Sequence, residues 1–96
     1  MVKILGEWQD KRTQILDQAA PILEGLKAVL SGFEVPEAGY FGKDALYIRL
    51  SARSLVIEQP TLEVLLGAAK ANDAVLSIDT KQGPLVATIM KHEKIF

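Results

Sequence analysis

Residues 40–53 read YFGKDALYIRLSAR, and from Leu46 onward they alternate without a break. Leu46, Ile48, Leu50 and Ala52 fall on one side of an extended chain, and Tyr47, Arg49, Ser51 and Arg53 on the other. A strand over 45–52 follows. Gly42-Lys43-Asp44 in front of it supplies turn chemistry, so residues 40–42 are expected to pair back as the other arm of a hairpin. One face of that hairpin is apolar and belongs to a core. The other is aromatic and basic, and is either the wet side of a sheet or a working surface.

Upstream, Leu5, Trp8, Ile15, Ala19, Ile22, Leu26 and Val29 recur at steps of three, four and seven, with Leu16, Leu23 and Leu30 beside them. That is a helical seam, interrupted where Arg12 stands in an apolar place. Pro21 removes the bond to the carbonyl of Asp17, which predicts a bend between helical pieces at about 6–19 and 21–31. Ser31-Gly32 ends the helix, and FEVPEAG (33–39) reads as a connector.

Downstream, SLVIE (54–58) is apolar and β-branched but shifts phase, suggesting a strand continued past a bulge or a change of partner. Gln59-Pro60-Thr61 opens a second helix over 61–72, with Leu62, Leu65, Leu66 and Ala69 as its buried stripe and Asn72-Asp73 as its stop. AVLSIDT (74–80) and PLVATIM (84–90) flank Lys81-Gln82-Gly83 as a second hairpin. The order is helix, hairpin, helix, hairpin. It predicts a single α+β domain over 1–96, a two-layer sandwich of a long kinked N-terminal helix and a shorter helix on an antiparallel sheet of about four strands.

Ninety-six residues, 49% hydrophobic and 24% charged, suit one globular core. Without cysteine there is no disulfide or thiolate metal site. MVKILGEWQDKR reads as neither a signal peptide nor a membrane anchor, so the expected setting is cytoplasmic and away from membranes. The net charge of −1 disfavours generic nucleic-acid binding. The charge is uneven, however: residues 43–53 carry a net +2 and residues 54–79 a net −3, which suits self-complementary pairing as well as a foreign partner.

Catalytic chemistry is scarce. His92 is the one histidine, it lies near the C-terminus beside Glu93, and a general base needs a pocket and an orienting partner. Asp10, Asp17 and Glu24 repeat every seven residues on a side away from the seam, as solvated helix faces do. Gly39-x-x-Gly42-Lys43 lacks the Walker spacing and leads into a strand. No metal site, cofactor or enzyme class is expected.

What remains is a small protein-interaction module, an adaptor, regulator or inhibitor, acting by binding protein or by self-association. Tyr40, Lys43, Tyr47, Arg49 and Arg53 are its expected partner-binding residues, since Tyr and Arg are favoured in interface cores. The alternative is single-stranded nucleic acid, with Tyr47 stacking a base and the cations holding phosphates. Trp8 is either core or an interface anchor. A helix of 26 residues would span about 39 Å and overhang the sheet. Leu5, Trp8 and Ile15 would then form a homodimer interface.

Overall fold

Gly42, Lys43 and Asp44 make the turn the sequence predicts, and Gly42 takes a φ of +65°, open to a residue without Cβ. The computed structural model describes residues 2–53, 56–80 and 85–92. In chain order these form β1 (Lys3–Ile4), a 3-10 turn (Gly6–Lys11), α1 (Arg12–Leu26), a short 3-10 turn (Leu30–Gly32), β2 (Glu37–Phe41), β3 (Ala45–Ser51), α2 (Gln59–Ala71), β4 (Val75–Asp79) and β5 (Val86–His92). The fold is α+β, two helices on one five-stranded sheet of order β1-β2-β3-β5-β4.

β3 is central, paired along its whole length with β5 from Ala45↔His92 to Ser51↔Val86 and with β2 on its other side. β4 pairs antiparallel with β5. The fifth strand is the one the sequence hides. β1 runs parallel to β2 through Lys3↔Glu37 and Ile4↔Ala38, which makes the sheet mixed. Two residues are too few to show alternation, so nothing in the pattern marks them.

Both helices cover the same side of the sheet. Ile15, Ala19, Ile22 and Leu26 of α1 and Leu65, Ala68 and Ala69 of α2 form one cluster with Leu46, Ile48, Leu50, Ala87 and Ile89. The α1–α2 approach is close because Gly25 lies there: a Cβ on it would sit 3.1 Å from the Ala68 Cβ. Ala68 therefore joins the buried stripe of α2, while Leu66, expected in it, is half-exposed. Asn72 stops the helix as expected, its Nδ2 donating to the Ala68 carbonyl at 2.8 Å, and Asp73 turns the chain with φ 55°.

The first helix differs from the sequence reading. It does not break at Pro21, which is exposed and lies inside α1. Water reaches that surface and can satisfy the carbonyl that a proline leaves without a partner. The break falls instead at Lys11, beside the seam's interruption at Arg12, and residues 6–11 form the 3-10 turn. The α-helix has 15 residues, about 22 Å. It does not overhang the sheet as a 39 Å helix would.

Two strand boundaries also move. Residues 37–39 already belong to β2. Ser54 and Leu55 lie outside the described residues, and 56–58 is not strand, leaving Val56 exposed. The 81–83 turn of the second hairpin lies outside the described residues as well. Among the described residues no helix is long and apolar enough to cross a membrane.

Candidate functional site

With both helices on one side, the register fixes what stands on the other. One row across the open face is Gly39–Tyr47–Met90–Val75, and the next is Glu37–Arg49–Thr88–Ser77. Phe41, Ala45 and His92 form a third row. Phe41 is 41% exposed, Met90 38% and Val75 68%, an apolar band crossing four strands with no layer above it among the described residues.

Tyr47 lies at the centre of this band yet is only 3% exposed. Its cross-strand partner Gly39 explains this. A Cβ at Gly39 would stand 2.9 Å from Tyr47 Cε2 and Oη and 3.0 Å from Trp8 Cδ1, so the ring lies across β2 in the space a side chain would fill. The Phe41 ring packs on Tyr47 at 4.5 Å between centroids, tilted 31°. Arg49 brings its guanidinium carbon to 5.1 Å from the Tyr47 centroid, within cation–π range.

Glu37 ties the polar ends together. Tyr47 donates its hydroxyl to Glu37 Oε2 at 3.0 Å, and Arg49 Nη1 donates to the same oxygen at 3.2 Å. The Tyr47 pKa is pushed up to about 12, first by burial and then by the hydrogen bond to Glu37 and that carboxylate's charge, with Arg49 opposing. The phenol thus stays a neutral donor through the physiological range. The surface is an aromatic floor with one internally matched ion pair, Glu37 and Arg49.

Of the residues expected to bind a partner, the fold gathers only Tyr47 and Arg49. Tyr40 points the other way. It opposes Leu46, whose side faces the helices, and donates its hydroxyl to Gln18 Oε1 of α1 at 2.6 Å. It is buried there, edge-on to Trp8 at 5.4 Å. Lys43 is exposed in the turn, and Arg53 lies beyond the other end of β3, its Nε donating to the Phe33 carbonyl at 3.3 Å. Roughly 30 Å of extended chain separates the two cations, so they do not converge.

The expected dimer residues are scattered too. Ile15 is wholly buried in the chain's own core. Leu5 and Trp8 are half-buried at the edge of the sheet, where the Trp8 amide donates to the Leu5 carbonyl at 2.9 Å. Trp8 thus braces Tyr40 from one side and approaches Gly39 and Tyr47 from the other.

Phe41, Glu37, Met90 and Val75 were missed. The alternation of residues 84–90 does place Val86, Thr88 and Met90 on one side. Nothing in sequence, though, states that Met90 lies beside Tyr47. Asp10, Asp17 and Glu24 are exposed, as is His92 at the end of β5. Among the described residues no three His, Cys, Asp or Glu side chains are grouped to hold a metal.

Compared with known proteins, the chain matches no family model, no curated sequence and no solved structure.

Proposed function

We propose that this chain is a non-catalytic protein-interaction module whose working surface is the open face of its sheet. The observation that carries the reading is the band of Phe41, Met90 and Val75 around the supported Tyr47. Exposed apolar groups bordered by polar ones are what protein partners bury, with aromatic and Arg side chains as anchors. Glu37 and Arg49 neutralise each other beside the band, so a partner covering them leaves no single charge stranded. Tyr47 is pre-packed, which lowers the ordering cost of binding.

The same packing weighs against stacking a nucleobase, because the Tyr47 ring is already covered and Arg49 is held by Glu37. An adaptor, a regulator and an inhibitor would all use such a face. The test compares proteins retained by the parent chain with those retained by Met90→Glu and Phe41→Glu variants of unchanged circular dichroism. The reading expects specific partners that survive moderate salt and are lost with either variant. Partners retained equally by both variants would defeat it.

A further inference from the structure

The two edges of the sheet are finished differently. At one, β1 is two residues long and the 3-10 turn carrying Trp8 continues past it, with Gln9 Nε2 donating to the Ile4 carbonyl at 2.7 Å. Little free edge remains. At the other, β4 has a strand on one side only among the described residues. Its five residues make this end of the sheet about 17 Å long.

Proteins usually blunt such an edge with charged side chains, Lys above all, with Pro, a bulge or a covering segment. Val75–Asp79 contains no Lys or Pro, carries one charge at its last residue, Asp79, and pairs with β5 without a skipped residue. Its flanks are apolar: Val75 stands exposed on the open face and Ile78 on the helix side, and Leu66 of α2 is exposed as well. Leu66, Ala69 and Leu76 line a groove between α2 and β4, with Lys70 and Asp73 at its margin.

We propose that β4 pairs antiparallel with β4 of a second copy, about a two-fold axis at Ser77. Opposed residues in an antiparallel pair share a face, so the axis must pass through a residue and not between two. Only Ser77 keeps all five residues of β4 paired. It sets Leu76 against Ile78 on the helix side, Val75 against Asp79 on the open face, and Ser77 against its own copy. The two Asp79 carboxylates stay about 14 Å apart. Leu66 of each copy then covers the joined Leu76 and Ile78.

The contact is about as long as α2, some 20 Å, and two layers deep, which buries on the order of 1,000 Å² over both copies, at the lower limit for a specific interface and suited to a reversible dimer. The contact is isologous and the β1 edge is obstructed, so assembly closes at two copies. The two surfaces share Val75, but the β4 pairing uses neither Phe41 nor Met90. Variants at those two residues test the open face, while variants at Leu66, Ser77 and Ile78 test the edge.

The chain has no cysteine, so Ser77→Cys introduces a lone thiol. The axis holds the two thiols at a separation of about 4.5–5.5 Å between Cα atoms, within disulfide reach. Under mild oxidation at low micromolar concentration, Ser77→Cys should cross-link at least about tenfold faster than the turn control Lys43→Cys. Light scattering should give the parent chain a dimer mass. Leu66→Glu and Ile78→Lys should shift it to monomer without changing the circular dichroism spectrum. A parent chain that is monomeric at high micromolar concentration overturns the proposal. So does a dimer in which Ser77→Cys cross-links no faster than Lys43→Cys, since that dimer uses another surface.

Discussion

On the helix side of the sheet Leu46, Ile48, Leu50 and Ile89 are wholly excluded from water, while one residue along on the same strands or their neighbours Phe41 and Met90 stand partly exposed. The two sides share backbone, register and twist, so strand propensity cannot explain the difference. What differs is cover. α1 and α2 both pack on one face, and among the described residues no helix covers the other, where Phe41 packs on Tyr47. An apolar side chain without a covering layer adds little to folding and remains available to a partner. The core side therefore sets stability, and the open side is free to carry recognition.

The largest expected effect lies on the covered side. Ile48→Ala and Leu50→Ala should each destabilise the fold by roughly 2–4 kcal/mol in urea unfolding, through lost transfer energy and the cavity left behind. Values below about 1 kcal/mol would mean that the core is not packed as described.

Gly39→Ala should come next, although it adds only a methyl group. The new Cβ meets Tyr47 at 2.9 Å and Trp8 at 3.0 Å, so one of the rings must move. A loss of about 1–3 kcal/mol is expected, measured by thermal or urea unfolding. In a Tyr47→Ala background, where the clash is gone, Gly39→Ala should cost less than it does in the parent chain.

A smaller effect depends on pH. Tyr47 is an acid whose folded pKa is raised to about 12 from an ordinary 10.0. Its contribution is fully present below about pH 10, where both folded and unfolded forms are protonated, and declines as pH rises toward the folded value. Tyr47→Phe should remove a hydrogen bond to a carboxylate, worth about 1 kcal/mol at neutral pH. Above pH 10 the gap between parent and variant should narrow. A gap that stays constant up to pH 12 would mean that burial and Glu37 do not raise the Tyr47 pKa as described.

Much of this division is legible in the sequence, and its limits have physical causes. The hairpin about Gly42, the second helix and the final strand pair follow from period-2 and period-3.6 patterns. The inward side of β3 follows from Leu46, Ile48 and Leu50. β1 is too short to carry a pattern. The seam places Trp8 in a first helical piece over about 6–19, whereas residues 6–11 tighten into a 3-10 turn that lets Trp8 reach both Tyr40 and Gly39. Tyr40 is expected at the binding surface from its residue type, and only its pairing with Leu46, which no pattern within residues 40–42 reveals, puts it on the helix side. Met90 and Val75 join Tyr47 only through cross-strand register, which a single strand's alternation does not reveal. Lys43 and Arg53 looked clustered because they are near in sequence, but an extended strand separates its ends.

The most direct measurement pairs folding with binding for the double variant Phe41→Ser, Met90→Ser. Unfolding free energy and retention of partner proteins are taken on one preparation. Both residues are partly exposed, so together they should lower stability by no more than about 1 kcal/mol, while binding of the parent chain's partners falls at least tenfold. A double variant that unfolds like an Ile48→Ala protein, or that binds every partner as the parent does, would contradict the assignment of stability to one face and recognition to the other.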